Sequence, residues 1–324
     1  MSQLSVDLDL LRGFERGLDP QHPERSQVPA RILGYGEIST VFEIEVDGLR
    51  HLAFKRLPIF RNLDEIEQYR GAYQEYNRLL EQEIGLHLPA HGCEAFVTDA
   101  GDPVFYIIQE QLPYASVGNR AIHLLSPQDT LALVEKALLE LSRVWRHNSR
   151  QDQVQIGIDG QISNWSVQGL DPEHPRFDAA KALRYMDTST PLFRVRGVEQ
   201  LDPELFLRSG PSFLVWLLRL LFLKDVVNRY YDFHRVAVDL VANFYKEQLS
   251  ELIPDLVQVV NAVFAGEAAD LQAQPITEQE VRSYYREDAL IWSLYLSMRK
   301  LDRFIRTRLL HREYPYILPR RIER

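Results

Sequence analysis

The sequence contains a single cysteine, Cys93, among 324 residues. A disulfide needs two cysteines, so an intramolecular disulfide is excluded, and so is a zinc site built from several cysteines. Long apolar runs are also missing, because the most apolar stretch, residues 213–223, includes Arg219 and is too short to span a bilayer. The first residues lack the basic start and the apolar stretch of a secretory signal. We therefore expect a cytoplasmic protein with no membrane span.

An excess of positive charge is absent as well. Lys and Arg number 37 against 46 Asp and Glu, and the resulting net charge of −9 argues against binding nucleic acid by overall charge. The exception is residues 299–324, where nine basic residues stand against three acidic ones. We expect a solvated helix face and a charged tail there, and the alternative is a contact with an anion or a nucleic acid.

Hydrophobic patterning divides the chain into three parts. Residues 1–30 are polar and proline-punctuated, and we interpret them as an N-terminal extension with one short helix. Residues 31–112 alternate like β-strands joined by tight turns, and they include one helix that Asn62 can cap and Gly85 can end. Residues 113–324 are mostly helical. A small mixed unit followed by a larger helical unit predicts the α+β class.

A glycine-containing turn lies between the first two predicted strands. It reads Gly34-Tyr35-Gly36, followed closely by Ser39 and Val41. Two glycines let backbone amides approach a phosphate, and Val41 could cover an adenine face. The turn does not open a helix, so a Rossmann phosphate loop is excluded. A plain glycine turn in a hairpin is the alternative interpretation.

A lysine ends the next apolar strand. Lys55 follows the run Leu52-Ala53-Phe54, and a lysine in such a run must find an anionic partner or turn outward to water. Glu75, in the middle of the following helix, is the expected partner, ahead of Glu81. The alternative places Lys55 on an exposed edge of the sheet.

Three polar residues in the second half of the chain suit phosphoryl transfer. Asp159 and Asn164 lie five residues apart in a predicted loop, where an aspartate can take a hydroxyl proton while an asparagine binds Mg²⁺. Asp187 ends a predicted strand, and its carboxylate is a hard oxygen ligand of the kind that Mg²⁺ prefers. Each feature alone occurs often by chance. Their order along the chain, after the glycine turn, the strand lysine and the helix glutamate, is that of the protein-kinase motifs.

Over residues 31–190 the chain therefore resembles the protein-kinase-like superfamily, nearest its aminoglycoside phosphotransferase and choline kinase branch. The resemblance implies a bilobal fold. Residues 31–112 would form an antiparallel-sheet N-lobe with one long helix, and residues 113–324 a larger helical C-lobe that carries the catalytic and metal loops. It also implies an ATP- and Mg²⁺-dependent phosphotransferase that acts on a hydroxyl group of a small molecule.

The same resemblance assigns roles to individual residues. The implied nucleotide-binding residues are Gly34, Gly36, Ser39, Val41, Lys55, Glu75 and Glu110. Glu75 would hold Lys55 against the ATP phosphates, and Glu110 lies in the segment that would pass the adenine. Asp159 would be the catalytic base, and Asn164 and Asp187 would bind Mg²⁺.

The chain also departs from the family pattern. Ser39 stands in place of the third glycine, Gly157-Ile158 replaces the histidine-containing pair before the catalytic aspartate, and Asp187-Thr188-Ser189 replaces Asp-Phe-Gly. The missing histidine and phenylalanine pack and orient the catalytic loop in the family. The alternative function is therefore a nucleotide-binding pseudokinase, or an interaction module, without turnover.

Two aromatic stretches have both a structural and a functional interpretation. Residues 213–222 are expected to form a buried helix, with an amphipathic membrane surface as the alternative. Tyr230, Tyr231 and Phe233 are expected in the core, and the alternative is that they line the pocket of the acceptor molecule.

Overall fold

The computed structural model describes residues 4–19, 22–35, 39–202, 205 and 227–309. Within them, a five-stranded antiparallel sheet and a set of helices confirm the α+β class that the sequence predicts. The expectations for Gly36, for the apolar stretch 213–223 and for the basic tail beyond residue 309 lie outside the described residues.

The five-stranded sheet has the strand order β1-β2-β3-β5-β4, and all its neighbouring strands are antiparallel. Its strands are β1 (Ala30–Tyr35), β2 (Thr40–Ile44), β3 (Leu52–Leu57), β4 (His91–Val97) and β5 (Pro103–Glu110). These are the strands that the alternation and the tight turns predict.

Helix α1 (Leu8–Arg16) lies in the segment predicted as an N-terminal extension. Asp7 caps it by accepting a hydrogen bond from the Asp9 backbone amide at 2.8 Å. Near its end, the Glu15 carboxylate accepts two hydrogen bonds from the Arg56 guanidinium on β3, at 2.6 and 2.8 Å, and both side chains are buried. This ion pair fixes α1 to the sheet.

Helix α2 (Leu63–Arg78) continues through a π-helical turn, Leu79–Ile84. Asn62 Oδ1 accepts a hydrogen bond from the Glu65 amide at 2.9 Å, which caps the first turn. Gly85 ends the helix at φ +76°, in the left-handed region that favours glycine. The structure thus confirms both predicted ends.

Strand β5 is buried on both sides because a helix covers each face of the sheet. Phe105 and Ile107 belong to the apolar cluster beneath α2, whereas Tyr106 and Ile108 belong to the cluster beneath α1. The alternation has the period of two that a strand requires, although both sets of side chains are apolar.

The rest of the described chain is built around helices. They are α3 (Gly118–Ala121), α4 (Pro127–Asn148), α5 (Phe233–Lys246), α6 (Ile253–Ala265) and α7 (Glu278–Phe304). Short strands lie between α4 and α5: β6 (Val154–Ile156), β7 (Trp165–Val167), β8 (Leu183–Tyr185), β9 (Phe193–Val195) and β10 (Val198–Glu199). Strand β7 pairs with β8, and β9 pairs with both β6 and β10.

One apolar core joins α2 to the other helices and to the short strands. Tyr76 and Leu80, from α2 and its π turn, share this core with Leu133 and Leu141 of α4 and with Val236 of α5. Among the described helices, none is both long enough and apolar enough to cross a membrane.

Candidate functional site

Lys55 and Asp187 form an ion pair across 132 residues of sequence. Lys55 lies in β3, where it pairs with Val41 on one side and Ile107 on the other, so its position is central in the sheet. Its Nζ donates a hydrogen bond to Asp187 Oδ1 at 2.9 Å and another to Ser189 Oγ. Asp187 lies just beyond the end of β8, and the pair thereby joins the sheet to the helical part.

The predicted pairing of Lys55 with Glu75 is wrong. Glu75 instead binds Arg78, three residues further along α2, through two hydrogen bonds of 2.9 Å. The Glu75 side chain is 43% exposed and lies on the outer side of the helix, whereas Lys55 is largely buried. The α2 side chains that do reach the site are those of Tyr69 and Tyr76.

The carboxylate of Asp187 is held in its charged form. Burial disfavours the charge, but Lys55 and Ser189 outweigh it and hold the pKa of Asp187 below its ordinary value. Besides Lys55, the donors to Oδ1 are the Ser189 hydroxyl at 2.6 Å and the Ser189 backbone amide at 3.2 Å. Asp187 is therefore an anion at neutral pH with one oxygen already saturated.

The loop that carries Asp159 and Asn164 lies against the segment that carries Asp187. Trp165 of β7 is directly opposite Tyr185 of β8, so the residues before β7 and after β8 meet at one end of this strand pair. Accordingly, the Met186 amide donates to the Asn164 carbonyl at 2.8 Å, and Asn164 Nδ2 donates to the Asp159 carbonyl at 3.2 Å. The three predicted polar residues thus come together.

The carboxyl group of Asp159 has a pKa raised to about 7. Burial is the largest cause, followed by the negative charge of Asp239, while the Gln161 backbone amide and Arg229 act in the opposite direction. Gln161 donates its amide to Asp159 Oδ1 at 3.1 Å, which orients the carboxylate. At neutral pH this group exchanges a proton readily, as a general acid or base must.

Asp239 is a site residue that sequence reasoning missed. It is a buried carboxylate on α5, and Gln161 Nε2 lies 3.5 Å from its Oδ2, so one glutamine contacts both acids. Burial also raises the pKa of Asp239, and Arg229 opposes that rise. The available signal was a lone aspartate within the apolar run Val236–Val241.

Arg229 adds a positive charge beside these acids. Its guanidinium donates to the hydroxyl oxygens of Tyr230 and Tyr284, each at 2.9 Å, and lies 3.5 Å from Asp288 on α7. Tyr230, predicted either as a core residue or as part of an acceptor pocket, lies at this cluster and is half-buried.

The family of unknown function DUF6206 matches residues 21–303 of the chain. The chain belongs to this family. The match covers the five-stranded sheet, both loops of the site and nearly all of α7. Among curated proteins, none matches the chain. A solved structure described as WaaP in complex with acyl carrier protein is 14% identical, with a TM-score of 0.33, and the match covers 83% of this chain and 99% of that one.

In this DUF6206 protein, three buried tyrosines hold the loops of the site by their backbone carbonyls. Tyr69 and Tyr76 of α2 donate their hydroxyl groups to Ser189 O at 2.7 Å and to Gly157 O at 2.9 Å. Tyr185 of β8 donates to Asp159 O at 3.1 Å. Burial raises the pKa of each of these phenols well above its ordinary value, so each remains a donor. The sequence pattern marked Tyr69 only as an apolar helix position.

The predicted nucleotide-contact residues of the DUF6206 chain lie around Lys55. Val41 is its direct neighbour across the β2–β3 ladder. Gly34 lies at an irregularity in β1, and a Cβ there would meet no atom within 4 Å. Ser39 is buried, and its hydroxyl group has no hydrogen-bond partner in the described part of the chain. Glu110, at the end of β5, receives two hydrogen bonds of 3.0 Å from Arg184.

Proposed function

We propose that this protein is an ATP- and Mg²⁺-dependent phosphotransferase with a bilobal, protein-kinase-like fold. The sheet with α2 would be the N-lobe, the helical part the C-lobe, and the acceptor a hydroxyl group of a small molecule. The observation that carries the proposal is the 2.9 Å contact of Lys55 with Asp187, beside the loop of Asp159 and Asn164. Phosphoryl transfer of the kinase type uses a strand lysine to hold the phosphates and a loop aspartate to hold the metal, and these two side chains lie side by side here.

The residues present fit a magnesium ion. Asp187 Oδ1 is saturated by Lys55 and Ser189, which leaves Oδ2 as a possible ligand. Asn164 uses Nδ2 to bind the Asp159 carbonyl, which leaves its carbonyl oxygen Oδ1. Both are hard oxygen donors, and a divalent cation there would offset the mutual repulsion of Asp159, Asp187 and Asp239.

The nucleotide would lie along β1, β2 and the end of β5. Lys55 would contact the phosphates, and Gly34 with Gly36 would let the backbone approach them. The Ser39 hydroxyl group, which has no partner among the described residues, supports a polar ligand in this place. Val41 and the backbone at Glu110 would border the adenine. When bound, ATP supplies the phosphoryl group that is transferred.

Asp159 would orient the acceptor hydroxyl group and take its proton. A pKa of about 7 permits proton exchange near neutral pH, and a bound cation would shift the carboxylate towards its charged form. Gln161 would keep the carboxylate in position through the 3.1 Å hydrogen bond to Oδ1.

One feature favours the second candidate function, nucleotide binding without turnover. Ser189 stands where protein kinases have the glycine of Asp-Phe-Gly. Its hydroxyl group accepts a hydrogen bond from Lys55 and donates one to Asp187. This hydroxyl group thus takes part in the contact between the two charged residues. A lysine held in this way would have to rearrange before it could follow a phosphate through the reaction.

Thermal shift with ATP, with and without Mg²⁺, tests the nucleotide site. A ligand that binds the folded state raises its melting temperature by mass action. We expect stabilisation that requires Mg²⁺ in the wild type and is lost in Asp187→Ala. The matched control is Asp171→Ala, an exposed loop carboxylate that should keep the full shift.

Transfer to a panel of hydroxylated small molecules then separates the two candidates. The proposed activity predicts γ-phosphate transfer by the wild type, with retained ATP binding but no transfer in Asp159→Asn. Nucleotide binding without transfer to any acceptor would favour the second candidate. The absence of a Mg²⁺-dependent shift, or unchanged transfer by Asp159→Asn, would contradict the proposal.

A further inference from the structure

The last described helix, α7, carries an apolar stripe that faces solvent. Leu290, Leu294, Leu301 and Phe304 are 71, 43, 46 and 55% exposed, and Leu309 in the following π turn is 64% exposed. Their intervals of four, seven, three and five residues keep them on one side of the helix. Single exposed leucines are normal on a protein surface, but an aligned row of five indicates an interaction surface.

The opposite side of α7 attaches the helix to the protein. Val281, Met298 and Asp302 are buried, and Tyr284 accepts a hydrogen bond from Arg229. The exposed stripe is therefore not needed to hold α7 in place. Substitutions there test binding without removing the contacts that stabilise the fold.

The charges around the stripe have the sign opposite to that of the whole protein. Between residues 282 and 309, the exposed basic residues are Arg282, Arg286, Lys300, Arg303 and Arg308, whereas Glu287 is the exposed acid of the described part. This face is positive on a chain with a net charge of −9. Helical spacing places Arg286 and Lys300 beside the apolar stripe.

We propose that this exposed face of α7 binds the surface of an anionic lipid bilayer. The apolar side chains would enter the boundary between headgroups and acyl chains, and the basic side chains would contact lipid phosphates. Charge complementarity favours an anionic partner over a second copy of this chain, since two such faces would repel. The five large apolar side chains favour a bilayer over a nucleic acid, which offers phosphates but no apolar phase. This inference does not depend on the proposed function.

Sedimentation of the full chain with lipid vesicles tests the proposal. We expect binding to vesicles of phosphatidylcholine and phosphatidylglycerol in equal parts, weaker binding at high salt, and little binding to phosphatidylcholine alone. The variant Arg286→Gln/Lys300→Gln should bind more weakly by roughly fivefold per charge. Leu290→Ser/Leu294→Ser/Phe304→Ser should lose roughly 100-fold or more.

A matched control removes exposed apolar side chains elsewhere. Leu10→Ser/Val97→Ser changes residues that are 42 and 45% exposed on the sheet part of the molecule, and it should bind like the wild type. Circular dichroism should give each variant a wild-type melting temperature, because the changed residues are exposed. The proposal is contradicted if the chain does not bind vesicles, binds neutral vesicles equally well, or binds with wild-type strength in the α7 serine variant. Self-association through the stripe at low salt would also contradict it, as would binding to RNA or an acidic polypeptide in place of the vesicles.

Discussion

At the scale of single residues, the site concentrates negative charge. Asp187 and Asp239 both raise the pKa of Asp159, and Asp187 has a direct cationic partner, Lys55. The consequence is opposite pKa shifts, upward for Asp159 and downward for Asp187. Two carboxyl groups whose pKa values are shifted in opposite directions can serve as a proton acceptor and a charged ligand in one site.

The raised pKa of Asp159 predicts that this residue destabilises the protein at high pH. Its pKa is about 7 in the folded state, above the ordinary aspartate value. The protonated carboxyl group therefore contributes its full share to the free energy of unfolding below about pH 4, and this contribution is lost as the pH rises through the folded-state pKa. Without divalent cations, Asp159→Asn should therefore raise the melting temperature near pH 8, by the equivalent of up to about 4 kcal/mol. The gain should vanish near pH 4.

Thermal melts of both proteins across this pH range measure the difference. Asp171→Asn changes an exposed acid and should show no such pH-dependent gain. A constant difference between Asp159→Asn and wild type would show that the effect comes from packing and not from ionisation.

At the scale of elements, α2 holds the site through tyrosine hydroxyl groups. Tyr69 and Tyr76 reach Ser189 and Gly157 because they lie seven residues apart, two turns along one face of the helix. In the protein-kinase motif pattern, a glutamate on this helix contacts the sheet lysine. Here that lysine is bound instead by Asp187, which follows β8.

Removing either hydroxyl group should destabilise the protein. Tyr69→Phe and Tyr76→Phe each leave a loop carbonyl without its donor, which costs about 1–2 kcal/mol in the free energy of unfolding. Chemical denaturation measures the change. Tyr114→Phe, at an exposed tyrosine, should be neutral, and a loss of similar size there would contradict the assigned role of the buried hydroxyls.

The buried ion pair of Glu15 with Arg56 attaches helix α1 to the sheet. Glu15→Ala should destabilise the protein by about 3–5 kcal/mol, because it removes the carboxylate that pairs with the buried Arg56 guanidinium. The double variant Glu15→Leu/Arg56→Met should lose less, since it removes both charges. Asp99→Ala, which removes the exposed partner of Arg16, should cost least of the three, because water and salt screen an exposed pair. Denaturation curves of the three variants check this order.

At the scale of the molecule, α2 packs on the sheet with one set of side chains and in the core of the helical part with another, and several polar contacts also join the two parts. Gln109 of β5 donates to the Met186 carbonyl at 2.8 Å, and Glu110 binds Arg184 of β8. Together with the Lys55–Asp187 pair, these contacts link the end of the sheet to the strand pair that carries the site. Unfolding of either part would expose apolar surface of the other.

We therefore predict a single unfolding transition. Cys93 is buried in β4, and burial raises the pKa of its thiol to about 11, so it should react with thiol reagents only after unfolding. The four tryptophans all lie after residue 144, in the helical part of the sequence. Thiol labelling and tryptophan fluorescence should therefore give the same denaturant midpoint. Earlier exposure of Cys93 would show that the sheet unfolds independently.

The sequence by itself determined the local elements of this protein. Alternation, tight turns and capping residues predicted the strands of the sheet and both ends of α2, because these signals act between residues close along the chain. The order of the polar motifs along the chain selected Asp159, Asn164 and Asp187, and the structure brings them together through backbone contacts around β7 and β8.

Only the tertiary structure decided which side chains meet. Glu75 satisfied the expected spacing, but the rotation of α2 turns it outward to Arg78, so Lys55 finds Asp187 instead. Asp239 and Tyr69 looked like ordinary positions of apolar helices until packing brought them against the site. Ion pairs and buried carboxylates depend on distances of a few ångströms between distant segments, and those distances follow from how the helices and the sheet pack.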